Sequence, residues 1–220
     1  MGACFPPDSM LYTAAMRTHS LRLGLFAIAG LLTSAVSAQA HPHVFVTMVT
    51  EVVYAPDGSV QAVKHAWTFD DMFSVFATQG VQSKEKGKFT REELMPLAKT
   101  NIESLKDFDY FTYATLNGKK TEFNEPASDY YVEFKDQLLT LYFTLPFKAP
   151  AKPQELAVEV YDPSYFVDFS FAEKTPVKLV GASAQCKLSF VRPGETGSAQ
   201  PTDPNNWGAQ YANKILVKCP

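Results

Sequence analysis

The sequence lacks the short motifs by which many enzymes are recognised. Its 220 residues contain no G-x-S-x-G elbow, no H-E-x-x-H or C-x-x-C motif and no glycine-rich phosphate loop. Histidine is scarce, with 4 residues, and cysteine is scarcer still, with 3. No cluster of Lys and Arg offsets the formal net charge of -3, so nothing favours binding to nucleic acid or anionic lipid. These absences argue against an enzyme and against a nucleic-acid-binding protein.

The composition is that of a folded domain. Hydrophobic residues make up 46% of the chain and aromatic residues 13%, which is enough for a substantial core. The length suits one domain or two small ones.

The N-terminal 40 residues have the pattern of an export signal. Arg17 and Arg22 precede an apolar run over residues 23–36, and Ser37-Ala38-Gln39-Ala40 supplies an A-x-A cleavage site. The run is shorter than the roughly 20 residues of a membrane-spanning helix, although an uncleaved anchor is the alternative. Met16 is an alternative start that would give a signal of ordinary length. We therefore expect cleavage after Ala40 and a periplasmic domain over 41–220, with no stable membrane insertion afterwards.

Strand patterns dominate the predicted domain. Two long strands flank the turn Pro56-Asp57-Gly58, and helical spacing follows over 71–79 and, after a Thr90/Glu93 capping box, up to residue 107. The class is therefore α+β, mainly antiparallel, with one or two helices after the first hairpin. A boundary between two subdomains near 146–155 is an open alternative. The predicted strands cover residues 44–54, 60–69, 112–116, 120–123, 130–134, 138–145, 156–161, 165–171, 177–184 and 187–191.

Only two cysteines remain in the expected mature chain, Cys186 and Cys219. An even count in an oxidising compartment predicts a disulfide. It would close a loop of about 34 residues and stabilise the fold by roughly 3–4 kcal/mol. Two free thiols or a metal–thiolate pair are the alternatives.

Cleavage after Ala40 would expose His41-Pro42-His43 as a new N-terminus. The two imidazoles and the α-amine form a dense nitrogen cluster suited to zinc, copper or nickel. Because Pro42 has no amide hydrogen, the square-planar chelate through deprotonated backbone amides is blocked. On a strand the two histidines share one face, about 6–7 Å apart.

The hairpin predicts which acidic residues lie near this cluster. If Tyr54 pairs near Val60, His43 faces Asp71, with a tolerance of one or two residues that admits Asp70. On the same register Phe45 pairs with Phe69, and Val49 pairs with His65, which places His65 about 20 Å from His43, too far to share an ion. We therefore predict a metal site made of His41, His43 and Asp70 or Asp71.

Alternative interpretations exist for each of these residues. A solvated His-x-His and a helix cap at Asp70-Asp71 account for the same pattern without metal. Asp162, in the Tyr161–Tyr165 segment, is either a turn residue or a further metal neighbour.

Four features together resemble one known family, the domain of unknown function 1007, labelled "ABC-type uncharacterised transport system, periplasmic component". They are His41–Val46 directly after the signal, His65–Phe73, Tyr161-Asp162-Pro163, and the pair Cys186/Cys219. The resemblance covers residues 41–220 in the same order. It implies association with a membrane permease of the nickel/cobalt efflux type and handling of a transition metal.

The sequence thus predicts a non-enzymatic periplasmic accessory of a transport system that binds a divalent ion, namely zinc, nickel, cobalt or copper. The main alternative is an interaction module that docks on a permease without metal. A hydrolase with a metal-activated water at the same site is a third possibility.

Overall fold

Two β-sheets and two helices form the fold in the computed structural model, which describes residues 42–126, 129–194 and 204–220. The helices are α1 (Asp71–Thr78) and α2 (Arg91–Lys106). The strands in chain order are β1 (Val44–Tyr54), β2 (Val60–Phe69), β3 (Thr112–Leu116), β4 (Lys119–Thr121), β5 (Tyr130–Lys135), β6 (Leu138–Ala151), β7 (Glu155–Val160), β8 (Val167–Phe171), β9 (Val177–Val180), β10 (Lys187–Val191) and β11 (Asn213–Lys218).

The first sheet has the strand order β5-β6-β2-β1-β8, and β9 also pairs with β1 beyond the end of β8. The pairings β5–β6, β6–β2 and β2–β1 are antiparallel, whereas β8 and β9 run parallel to β1. The second sheet, in the order β10-β11-β7-β3-β4, is antiparallel throughout. The predicted α+β class with mainly antiparallel pairing is confirmed.

The first hairpin forms where it was predicted, but its register differs by one residue. Tyr54 pairs with Val60 as expected, and the next pair is Val53 with Ala62, so Gln61 is skipped in a β-bulge. Because the bulge adds a residue to β2, Val46 rather than Phe45 pairs with Phe69.

The chain from β7 to β8 does not form a hairpin. The turn at Asp162 carries the chain from the second sheet into the first, where β8 pairs in parallel with β1. Strand β11 also lies beyond the predicted strands, and it enters between β10 and β7. Its alternating burial, with Ile215 and Val217 inside, is the signal that the sequence analysis missed.

Strand β6 runs through the proline-rich stretch near 146–155, as far as Ala151. Pro146 pairs with Ala62 next to the bulge in β2, a place where the missing amide hydrogen of proline is tolerated. On the other side of β6, Asn124 N donates to the Pro146 carbonyl oxygen at 2.7 Å.

The core lies on the inward faces of both sheets. Trp67 is the largest of its fully buried side chains, and it contacts Phe143 edge to face at 4.8 Å and Phe169 at 4.7 Å between ring centroids. The second sheet contributes Val158 and Ile215, which are both completely buried. The opposite face of the first sheet carries the alternate, partly exposed residues and is here called the outer face.

Both helices begin at side-chain caps; the one at Thr90 was predicted, and the one at Asp70 was the alternative to a metal ligand. Asp70 caps α1, and the Thr90/Glu93 capping box is formed in full at the start of α2. Helix α2 buries Leu94, Ala98 and Ile102. Within residues 42–126, 129–194 and 204–220, neither helix has the length and apolarity needed to cross a bilayer.

Candidate functional site

His43 lies one residue before β1, and its side chain is exposed. Its backbone amide donates to the carbonyl oxygen of Phe166 at 2.9 Å. The imidazole lies over the same residue, with 4.8 Å between the two ring centroids. The start of β8 therefore holds the backbone and ring of His43 at the edge of the first sheet.

Asp70 connects β1 to the start of α1. One carboxylate oxygen accepts the amide of Phe73 at 2.8 Å, which is the helix cap, and the other accepts the amide of Phe45 at 2.8 Å. The Asp70 amide in turn donates to the Phe45 carbonyl oxygen at 2.9 Å. These bonds place the Asp70 carboxylate two strand positions from His43. A carboxylate accepts about four hydrogen bonds, so Asp70 keeps acceptor capacity for a ligand.

Asp71 is exposed in the first turn of α1, where a negative charge is favourable to the helix dipole. Its side chain accepts the amide of Met72 at 2.9 Å. The register of the hairpin places Asp70, not Asp71, beside Phe45, so Asp71 is the more distant of the two from β1.

Asp162 is 4% exposed and organises the turn between the two sheets. One of its oxygens accepts the amide and the hydroxyl of Ser164, both at 2.8 Å, and the other accepts the amides of Phe166 and Val167, both at 3.0 Å. Four donors match the acceptor capacity of one carboxylate. This hydrogen-bond count favours a structural role, and the place of Asp162 among the metal ligands stays a prediction.

The structure brings His43, Asp70 and Asp162 to the same end of the first sheet through two intermediate residues. Phe45 joins the first two, and Phe166 contacts both His43 and Asp162. In the part of the chain that the structure describes, no three His, Cys, Asp or Glu side chains converge closely enough to hold a metal ion. His41, the other predicted ligand, lies outside the described residues.

Asp168 is a further carboxylate at this end, and it pairs with Phe45 across β1 and β8. It is half-buried, and this burial raises the pKa of Asp168 above its usual value. The sequence analysis placed Asp168 in a predicted strand and did not propose it as a ligand.

His65 has no part in this cluster. It is 2% exposed, and its two ring nitrogens lie 3.1 Å from Thr50 Oγ1 and 3.2 Å from Thr112 Oγ1. Burial lowers the pKa of His65 to about 3, so the ring is neutral at physiological pH.

Helix α1 presents an apolar face to solvent that the sequence analysis did not single out. Met72, Val75 and Phe76 are 77%, 53% and 70% exposed, and we call these three residues the α1 face. The helix is nevertheless firmly attached: Ser74 Oγ donates to the Asp70 carbonyl oxygen at 2.6 Å and accepts the Leu139 amide at 2.9 Å. An exposed apolar surface on a well-anchored helix is typical of an interaction site.

Cys186 and Cys219 form a disulfide, as predicted. The bridge lies beside the pair Lys187–Lys218 and joins the start of β10 to the end of β11. It therefore ties the edge strand of the second sheet to its neighbour.

These features define an α+β protein built from two sheets, with two helices following the first hairpin and a disulfide at the edge of the second sheet. The chain belongs to the family described as "Protein of unknown function (DUF1007)", which matches residues 26–219. The resemblance drawn from the sequence is thereby confirmed.

Two relatives share parts of this sequence. An "Uncharacterized protein" of Haemophilus influenzae is 25% identical over 216 residues, which cover 93% of this chain and 100% of the relative. An "Uncharacterized 15.5 kDa protein in trpE 3'region" of Spirochaeta aurantia is 36% identical over 95 residues, covering 42% of this chain and 66% of the relative.

Proposed function

We propose that this protein is a periplasmic accessory of a membrane transport system. It presents a divalent transition metal ion at the end of the first sheet where β1 begins. The observation that carries the proposal is the placement of the Asp70 carboxylate two strand positions from His43, through its bond to the Phe45 amide. Imidazole and carboxylate are donor types that zinc, nickel, cobalt and copper accept.

His41 and the α-amine released by cleavage after Ala40 would complete the donor set. His41 and His43 are two residues apart in the sequence, the spacing that predicts two side chains on one face of a strand. Asp71 is exposed next to Asp70 and is available as a further oxygen donor.

The proposed partner is a membrane permease of the nickel/cobalt efflux type. The α1 face supports this part of the proposal because helix α1 begins directly after Asp70. A permease that covered Met72 and Phe76 would therefore meet the proposed metal ligands at the border of its contact.

A second candidate, a docking module that binds no metal, is favoured by two observations. Both oxygens of Asp70 already accept backbone amides, and Met72, Val75 and Phe76 stay exposed on a helix whose position is fixed by Ser74. This candidate needs only the α1 face.

Calorimetry on protein that begins at His41, without a tag, separates the two candidates. Titration with zinc, nickel, cobalt and copper salts should show one ion per chain, and the H41A/H43A double variant should lose that binding. Asp70→Ala and Asp71→Ala should show which carboxylate contributes. Asp107→Ala, an exposed aspartate at the C-terminal end of α2, is the matched control and should bind like the wild type.

The affinity should fall in acid, because an imidazole must be neutral to coordinate an ion. Equal metal affinity in the wild type and the double histidine variant would refute the metal-presenting function. The Met72→Ser/Phe76→Ser variant then tests the docking module, which needs no bound metal: it should keep the unfolding midpoint of the wild type and lose metal transport in cells.

A further inference from the structure

The outer face of the first sheet carries a cavity beside the middle of β1. Its volume is about 270 Å³, and Val49, Ala66 and Tyr142 are among its lining residues. Glu51, about six strand positions from Phe45, also lines it, which is about 20 Å at the ordinary rise per residue. The cavity is therefore separate from the proposed metal site.

The strand register builds the floor and one wall of this cavity. Val49 pairs with Ala66, Ala66 with Tyr142, and Tyr142 with Tyr131, so four neighbouring strands contribute one row of side chains. Ala66 is the smallest residue of that row. Its short side chain leaves the space between Val49 and the Tyr142 ring.

A stack of planar groups fixes the orientation of the Tyr142 ring. The Arg91 guanidinium lies 3.6 Å from the ring centre of Tyr131, and the Tyr131 and Tyr142 rings stack at 4.6 Å with 16° between their planes. Two groups this close cannot share one ring face, so Tyr131 is covered on both sides. The stack ends at Tyr142, whose second face is turned to the gap above Ala66.

Glu133 holds the same stack in place from the side. Its carboxylate accepts a hydrogen bond from Arg91 at 2.8 Å. After burial, the negative charge of Glu133 also raises the pKa of Tyr142. The aromatic wall is thus formed before any ligand arrives, which lowers the entropic cost of binding.

Polar side chains form the rim in the next row of the sheet. Glu51 pairs with Lys64, and Lys64 pairs with Thr144, whose hydroxyl bonds to Asp129. Lys64 Nζ lies 4.0 Å from the Asp129 carboxylate. A ligand therefore meets one ammonium and two carboxylates beside a single aromatic face.

The lining selects the chemical class of the ligand. A wholly apolar ligand would cover the rim charges without compensating hydrogen bonds. Each rim carboxylate has an ammonium beside it, with Lys178 Nζ 3.8 Å from Glu51 and Lys64 Nζ 4.0 Å from Asp129, so no excess of charge favours an ionic ligand. A pyranose has an apolar C–H face for Tyr142 and hydroxyls that both donate and accept at the rim. The volume lies just under the roughly 300–1,000 Å³ of drug-sized pockets, which suits one sugar ring.

We propose that this cavity is a saccharide-binding site in which a pyranose ring stacks on Tyr142 and its hydroxyls contact Glu51, Lys64 and Asp129. Saturation-transfer NMR and calorimetry with methyl β-glucoside and methyl β-N-acetylglucosaminide test for a free sugar. Cellotetraose and chitotetraose, in parallel, test for a sugar ring within a glycan chain. We expect saturable binding of at least one of the four probes.

Two variants and one control decide the proposal. Ala66→Leu fills the gap above the floor, and Tyr142→Ala removes the stacking surface, so each should weaken binding at least tenfold. Thr68→Leu, on the same strand and the same face but one row outside the cavity, should bind like the wild type. An unchanged unfolding midpoint in Ala66→Leu would show that blocking, not misfolding, causes its loss.

The absence of saturable binding for all four probes, or equal affinity in the wild type and Ala66→Leu, would overturn the saccharide site. Metal affinity should be the same in all three variants, so the outcome is independent of the proposed metal function.

Discussion

The imidazole of His65 and the hydroxyl of Thr112 lie 3.2 Å apart and join the two sheets through a buried hydrogen bond. Thr112 Oγ1 donates its one proton to the carbonyl oxygen of Tyr110 at 2.8 Å, so it accepts from His65 Nε2. The other ring nitrogen, Nδ1, then accepts from the Thr50 hydroxyl at 3.1 Å. The neighbours of His65 thereby fix it as the neutral Nε2–H tautomer.

The bond from the Thr112 hydroxyl to the Tyr110 carbonyl also supports an unusual backbone segment. Asp109, Tyr110 and Phe111 have φ angles of 51°, 52° and 48°, three left-handed residues in succession without a glycine. Each such residue costs about 1–2 kcal/mol. The Thr112 hydroxyl bonds to the central carbonyl of this turn, while the rings of Tyr110 and Phe111 are buried.

Thr112→Val should therefore destabilise the protein by about 3 kcal/mol, because it leaves both the His65 Nε2–H group and the Tyr110 carbonyl without a partner. Thr115→Val, on the same strand but partly exposed, is the control and should change the free energy of unfolding by less than about 0.5 kcal/mol. Urea denaturation of the two variants measures the difference. Similar values for both would show that the buried network contributes little.

The depressed pKa of His65 predicts a loss of stability in mild acid. In the unfolded chain histidine has a pKa near 6.5, whereas burial lowers the pKa of the folded His65 to about 3. Between these values the unfolded chain binds more protons, so the free energy of unfolding falls as the pH falls. From pH 7 to pH 5 the loss from this residue should be about 2 kcal/mol. Denaturation curves of the wild type and His65→Gln at both pH values test this, and an equal pH dependence would contradict it.

Local patterns in the sequence predicted the elements well where one short segment contains the whole signal. The first two strands, α1 and the capping box of α2 need only alternation, turn residues and caps, and all of them are confirmed. The errors involve how the strands pair. The bulge at Gln61 shifts the register of the β1–β2 hairpin. Nothing near residues 167–171 indicates that β8 pairs in parallel with a strand 123 residues earlier.

The candidate sites were also predictable to different degrees, depending on whether their residues come from one hairpin or from several strand pairs. Asp70 bonds to Phe45 through the first hairpin, so the sequence predicted the register at this end of β1 within one residue. The cavity beside Tyr142 depends on the registers of three strand pairs and on the packing of Arg91 from α2. Tyr131 packs across the strands against Tyr142, but that packing alone does not indicate the space above Ala66.

The role of Asp162 can be tested apart from metal binding. Asp162→Asn replaces one accepting oxygen by a donor that faces the amides of Phe166 and Val167, and it should destabilise the protein by about 2–3 kcal/mol. Asp71→Asn, an exposed aspartate with a bond only to its neighbour, should cost about 0.5 kcal/mol. Thermal denaturation without added metal gives both values, and a neutral Asp162→Asn would favour the metal role over the structural one.

Gly208 should be essential for the contact between the C-terminal segment and the Asp162 turn. A Cβ atom at this position would lie 1.7 Å from the Asp162 carbonyl oxygen, and the Gly208 amide donates to the Pro163 carbonyl oxygen at 2.8 Å. Gly208→Ala should therefore cost about 3 kcal/mol, since backbone must move. Gly80→Ala is the control: it has a φ of 83° but open space around it, so only about 1 kcal/mol of backbone strain is expected. Equal costs in denaturant would show that the close contact is absent in solution.

Reduction of the disulfide should release β10 more than β11. Strand β11 keeps its antiparallel ladder with β7 and the bond from the Cys219 amide to the Gln154 carbonyl oxygen at 2.9 Å. Among the strands that the structure describes, β10 lies at the edge of the second sheet and pairs with β11 alone. We expect a loss of roughly 3–4 kcal/mol of global stability on reduction, because the unfolded chain gains the freedom of a loop of about 34 residues.

Hydrogen exchange on the native protein, with and without reductant, tests this order. The β10 amides should exchange faster after reduction, and those on the β11–β7 ladder should change less, because local opening begins where the fewest neighbours hold a strand. The Cys186→Ser/Cys219→Ser variant should match the reduced wild type and should not respond to reductant. Equal acceleration in β10 and β11 would mean that the disulfide supports the second sheet as a whole, and an unchanged exchange rate in β10 would mean that strand pairing alone holds the edge.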